Sequence, residues 1–122
     1  MNMTGIWSGT LGQATSGTSV RLVWNATQSF STVSGPVIIS KPVDNLTFPG
    51  TLSGTLNAQN LSLTYTVPAG SVPGFANCLI AGTGAAGATN SVITGTINVA
   101  ATSCDGFTGH PTGTQSLSLT KQ

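Results

Sequence analysis

Three well-separated segments spell the same five-residue phrase, a large apolar residue, a hydroxyl, glycine, threonine and a final aliphatic: Trp7-Ser8-Gly9-Thr10-Leu11, Leu52-Ser53-Gly54-Thr55-Leu56 and Ile93-Thr94-Gly95-Thr96-Ile97. In an extended chain successive side chains point to opposite faces, so each phrase sets large, Gly, large on one side and two hydroxyls on the other. A helix would scatter the same residues around its axis. An antiparallel sheet with one wet face alternates in this manner, which assigns the apolar set to the interior and the hydroxyls to water. The central glycine either fills a crowded interior or leaves room in it.

The period of two runs along the rest of the chain and predicts eight strands: Thr4 to Gln13, Ser19 to Thr27, Gly35 to Ser40, Leu46 to Leu56, Asn60 to Val67, Cys78 to Thr89, Ser91 to Ser103, and Thr114 to Thr120. Val20, Leu22, Trp24 and Ala26 share one face, as do Leu46, Phe48, Gly50, Leu52, Gly54 and Leu56, and again Leu61, Leu63, Tyr65 and Val67. Turn chemistry separates the strands at Thr15-Ser16-Gly17, Val43-Asp44-Asn45, Asn57-Ala58-Gln59-Asn60 and from Pro68-Ala69-Gly70 to Pro73-Gly74. Closing the fourth and fifth strands around Asn57 to Asn60 sets Leu56 opposite Leu61, Gly54 opposite Leu63, Leu52 opposite Tyr65 and Gly50 opposite Val67. Small faces large, as a tightly curved sheet requires. The expected architecture is therefore all-β, an eight-stranded antiparallel up-and-down meander β-barrel, with a β-sandwich as the alternative. The 122 residues suffice for one such domain, spanning 1–122.

Full charges are confined to Arg21, Lys41, Lys121, Asp44 and Asp105, and 50 of the 122 residues are Thr, Ser or Gly. Three scattered cations make no electrostatic footprint for nucleic acid and little attraction to an anionic membrane surface. A 39% hydrophobic content with net charge +1 is the reverse of a disordered composition. No apolar run is long enough for a spanning helix, and seven aromatics do not furnish the girdles of an outer-membrane barrel. The start, Met1-Asn2-Met3-Thr4, lacks the basic and apolar regions of a leader, so an extracytoplasmic protein is expected to have had its signal removed.

That compartment is suggested by the cysteines. If Ala81 to Thr89 and Ile93 to Ala101 close around Asn90-Ser91-Val92, residues whose numbers sum to 182 face one another, and Cys78 and Cys104 are such a pair. Directly opposed residues lie within disulfide reach. Closing a loop of about 25 residues stabilises by roughly 3 kcal/mol in the chain-entropy treatment. Two reduced core thiols are the alternative. A metal site is not expected, because His110 and two separated Asp residues complete no ligand set, and no cofactor is implied.

The opening Gly5-Ile6-Trp7-Ser8-Gly9-Thr10-Leu11-Gly12, followed by a strand from Ser19 and then Val33-Ser34-Gly35, resembles the first hairpin of avidin-like and lipocalin-like (calycin) barrels, which begin with a Gly-x-Trp strand. The whole chain is also similar in pattern to small Ser/Thr/Gly-rich extracytoplasmic, lipoprotein-type domains of bacteria, with a late cysteine pair and a closing Ser-Leu-x-Leu-Thr strand. The resemblance implies a meander barrel but not biotin binding. Gly9 stands where the avidin-like pattern carries a polar biotin contact, Gln13 stands where a small hydroxyl is needed, and Trp7 and Trp24 are the only indoles.

Trp24, Tyr65 and Phe48 point into the expected barrel and are the candidate ligand-binding residues, against the alternative of a packed core. Trp7 reads as a plug closing one end. His110, in Gly109-His110-Pro111, reads as an exposed loop histidine; as a general base it has no acid or nucleophile beside it in sequence, although Asp105 and many hydroxyls can approach in space. No catalytic residue is assigned, because no nucleophile elbow singles out one of 34 hydroxyl residues. The run Gly82-x-Gly84-x-x-Gly87 imitates a dinucleotide fingerprint without the helix or the acidic residue it needs, and reads as a strand of small side chains near an edge or close to another chain. Sequons at Asn2, Asn25, Asn45 and Asn60 count only in a eukaryotic secretory setting.

Three functions are compatible with these features. The first is a secreted or surface-tethered binding module that holds a small apolar or weakly polar ligand in or at the mouth of the barrel. The second is a structural or adhesive surface domain that self-associates through strand edges, with little charge to guard them. The third is a barrel enzyme of cyclase or isomerase type acting on an apolar substrate.

Overall fold

In the computed structural model the alternation becomes eight strands: β1 (Gly5–Leu11), β2 (Val20–Ser29), β3 (Thr32–Lys41), β4 (Leu46–Asn57), β5 (Asn60–Val67), β6 (Leu79–Ala88), β7 (Val92–Thr102) and β8 (Gly113–Lys121). The structure describes residues 2–12, 19–41, 46–104 and 110–122. The expected turns at Thr15-Ser16-Gly17 and Val43-Asp44-Asn45, the sequon at Asn45 and the carboxylates Asp44 and Asp105 lie outside the described residues.

Each strand pairs antiparallel with its neighbour in sequence, and β1 also pairs with β8, matching Gly9 with Leu119 and Leu11 with Leu117. The sheet is thus a closed up-and-down barrel rather than a sandwich. Closure satisfies the backbone groups that an open sheet would leave at its two edges. Gly82 to Gly87 accordingly lie in the middle of the sheet, with β6 held between β5 and β7, and not at an edge as the sequence suggested.

The residues assigned inward are inward. Val20, Leu22, Trp24, Ala26, Phe48, Leu52, Leu61, Leu63, Tyr65 and Val67 are all buried, while the hydroxyl-bearing faces of the same strands stay partly or fully exposed. The expected β4–β5 register holds, with Leu52 opposite Tyr65, Gly54 opposite Leu63 and Leu56 opposite Leu61. The repeat also has a physical reason: a methyl group added at Gly9, Gly54 or Gly95 would run into the carbonyl oxygen of Ser118, Ser62 or Ala85 on the adjoining strand. The glycines therefore occupy crowded places, where neighbouring backbone approaches the strand as the sheet bends. Leu63 and Leu61 side chains already reach to within 3.2 Å and 3.1 Å of where the Gly54 methyl would stand.

Two sequence expectations change here. The third strand begins at Thr32 and ends at Lys41, longer at both ends than Gly35 to Ser40, because Val33 and Lys41 continue the inward phase of Val37 and Ile39. The β6–β7 ladder pairs Leu79 with Thr102 and Ala88 with Ile93, so opposed numbers sum to 181 and not 182. Cys78 nevertheless bonds Cys104, with Cα atoms 4.4 Å apart. Ser103, just beyond the ladder, takes a left-handed conformation (φ 58°) and supplies the additional residue that brings Cys104 opposite Cys78.

Candidate functional site

The two ends of the barrel differ in chemistry. At the end carrying the β2–β3, β4–β5 and β6–β7 turns, the residues before β1 fold across the opening. Met3 is fully buried, its carbonyl accepts the Trp7 indole N–H at 2.9 Å, and its own amide donates to Gln28 Oε1 at 2.7 Å. Lys121 adds a donor to the Asn2 carbonyl at 3.2 Å and places its ammonium 5.8 Å from the centre of the Trp7 ring. Trp7 is thus a plug, as its sequence position suggested.

The opposite end gathers a titratable cluster. His110 is buried there, and not the exposed loop histidine expected from Gly109-His110-Pro111; Pro111 beside it is buried as well, and the disulfide ties Cys104 to Cys78. The imidazole stacks on the Tyr65 ring with centroids 5.6 Å apart, and the Phe48 ring lies 6.4 Å away at a tilt of 45°. Phe48 is the third residue of β4 and Tyr65 the third from the end of β5, so both face the lumen near this end.

The hydrogen bonds define the protonation state. His110 Nδ1 lies 2.8 Å from the Pro111 carbonyl, which can only accept, so Nδ1 carries the hydrogen. In the neutral ring Nε2 is then the acceptor, and the Tyr65 hydroxyl, 2.8 Å away, donates to it. Burial pushes the His110 pKa below its ordinary value; the bond to Pro111 opposes that shift, and the nearby Lys41 ammonium adds to it. Burial likewise pushes the Tyr65 phenol far above its ordinary range. At neutral pH this is a neutral phenol bonded to a neutral imidazole, with both ring nitrogens engaged. As positioned, His110 has no lone pair free to take a proton from a substrate.

Of the three residues proposed from the sequence, Tyr65 and Phe48 join His110 in this cluster, while Trp24 lies farther along the lumen as the fifth residue of β2 from the same end. The Trp24 side chain is fully buried and its indole N–H is, among the described residues, the buried side-chain polar group left without a hydrogen-bond partner. Sequence reasoning missed Lys41 and His110. For Lys41 a signal existed, since it shares the inward phase of Val37 and Ile39 and is buried with them. For His110 none did, because a loop residue carries no periodicity. Among the described residues no three of His, Cys, Asp or Glu converge as a metal would require, and no helix is long and apolar enough to cross a membrane.

Comparisons with protein-family models, with curated proteins and with solved structures found no match for this chain. The likeness to avidin-like and lipocalin-like barrels consequently stands on the closed eight-stranded meander and the Gly-x-Trp opening alone.

Proposed function

We propose that this barrel is a binding module that takes a small apolar or weakly polar molecule into the lumen through the end bearing Tyr65, His110, Phe48 and Lys41. The observation that carries the reading is the asymmetry of the buried polar groups. A barrel serving only as a packed scaffold gains nothing from gathering a histidine, a tyrosine hydroxyl and a lysine in its interior, since burial penalises the imidazole and the phenol in a way that apolar residues of similar size would avoid. Here all three are grouped at one end, beside an aromatic, while the other end is closed by the chain's own N-terminal segment. Polar groups at the mouth of an apolar lumen are the usual arrangement of small-molecule sites.

Edge-to-edge self-association has less support, because the closed barrel leaves no free strand edge in the sheet. Acid–base catalysis has less support as well, because both His110 nitrogens are occupied. A secreted, periplasmic or surface-tethered location accords with the disulfide, which persists in oxidising compartments.

The test is titration of the folded protein with 1-aminoanthracene, a neutral apolar fluorophore. Saturable binding at one site, weakened several-fold by Phe48→Leu and unchanged by Met3→Leu at the sealed end, is the expected result. Emission that rises without saturation, or that responds to Met3→Leu as much as to Phe48→Leu, would overturn the reading.

A further inference from the structure

The unpartnered indole of Trp24 specifies the ligand more closely. A buried N–H without an acceptor is destabilising, and native proteins leave few of them unmade. Trp24 has an internal comparison in Trp7, its direct partner across the β1–β2 ladder, whose indole N–H is satisfied by the Met3 carbonyl. Both rings are fully buried, yet of the two only the Trp24 N–H has no hydrogen-bond partner.

A lone water is a poor solution. A buried water is held by two to four polar partners, whereas the inward neighbours of Trp24 within the sheet are apolar: Trp7 and Val37 opposite it on the flanking strands, and Leu22 and Ala26 on either side along β2. Those four side chains offer such a water no hydrogen bond. A charged acceptor fits no better, because a carboxylate at this depth would be desolvated with a single neutral donor to compensate it. What suits one donor in an apolar wall is one neutral acceptor on an apolar body.

We infer that Trp24 Nε1–H is the recognition donor of the barrel, and that its ligand is a small uncharged molecule carrying a carbonyl- or ether-type oxygen on a hydrocarbon frame. This deepens the binding reading above and rests on it. The polar cluster of Tyr65, His110 and Lys41 then marks the mouth, and Trp24 the interior point that selects among apolar molecules that enter.

Two probes of nearly the same shape separate the possibilities: acetophenone, which carries a carbonyl oxygen, and α-methylstyrene, which carries a methylene in its place. In 15N–1H spectra of the unaltered protein, the Trp24 indole cross-peak is expected to move downfield with acetophenone and not with α-methylstyrene, while the Trp7 cross-peak, already hydrogen-bonded, stays in place. Trp24→Phe should weaken acetophenone roughly three- to tenfold more than it weakens α-methylstyrene, the worth of one neutral hydrogen bond. If both probes bind with no movement of the Trp24 peak, the donor assignment is overturned and the binding module survives. If neither binds, both fall. A Trp24 indole already at a hydrogen-bonded position in ligand-free protein, with cross-relaxation to a resident water, would also overturn the assignment. The spectra of the unaltered chain decide the matter even if Trp24→Phe does not fold.

Discussion

The two ends of the barrel use opposite strategies on the same lumen. One is closed by apolar bulk and hydrogen bonds to backbone and amide groups: Met3 and Trp7 fill it, and the Trp7 indole, the Met3 amide and the Lys121 ammonium are each bonded to nearby oxygens. The other gathers a buried imidazole and phenol with the Lys41 side chain, and there a disulfide ties Cys104 to Cys78. The first end gives stability with no titratable group sequestered. The second places an imidazole and a phenol where burial penalises their charged forms.

The largest effect should come from the sealed end. Trp7→Ala removes the largest plug and is expected to destabilise the fold by about 3–5 kcal/mol, read from the midpoint of denaturant unfolding. A loss below about 1 kcal/mol would mean that Trp7 is not what closes that end.

Next is the disulfide at the end that bears His110. The half-cystines are 26 residues apart in sequence, and replacing both in Cys78→Ala/Cys104→Ala should lower stability by about 3–4 kcal/mol on loop-closure entropy. Because Cys104 precedes the segment that carries His110, the variant should also broaden the imidazole signals of His110. Sharp, unshifted imidazole signals would show that His110 is positioned without the staple.

Tyr65→Phe is smaller and more specific. It removes the donor to His110 Nε2 while preserving the ring that the imidazole stacks on, and a buried acceptor left unsatisfied costs about 1–2 kcal/mol. The loss should disappear in a double-mutant cycle with His110→Phe, since the two groups act as a pair. Additive losses would separate them.

The smallest effect is the response to pH. The folded protein holds the His110 pKa below its ordinary value, so the unfolded chain takes up the proton first. Stability is therefore complete above about pH 6.5, the ordinary histidine value, and declines as pH falls from there toward the folded-state pKa. Melting should occur at a lower temperature at pH 5 than at pH 7.5, and His110→Gln should flatten that difference. Tyr65 works in the opposite range: its folded pKa is raised, so its contribution is intact below about pH 10 and lost as pH rises above it. As the single tyrosine of the chain, it should show phenolate absorbance at high pH only together with unfolding.

Much of this was legible from residues alone because alternation is a local rule. Whether Leu52, Trp24 or Tyr65 faces inward follows from the phase of its neighbours, and the β4–β5 register follows from a short turn between two strongly patterned strands. The cysteine partners were legible for the same reason, although the counting was off by one, because the left-handed conformation at Ser103 has no signature in a serine. Lys41 was missed by ending a strand one residue early at Ser40.

From the sequence by itself come the strands, their inward faces, the partners of the disulfide and the near-absence of charge, since each depends on composition or on spacing along a few residues. The tertiary structure decided that β1 meets β8, that His110 settles on Tyr65, and that the Trp24 N–H finds no acceptor while the Trp7 N–H does. Those outcomes join residues up to 114 positions apart, as in the pairing of Trp7 with Lys121. They depend on where the closing sheet and the returning loops bring backbone carbonyls and rings together in space, which no local periodicity encodes.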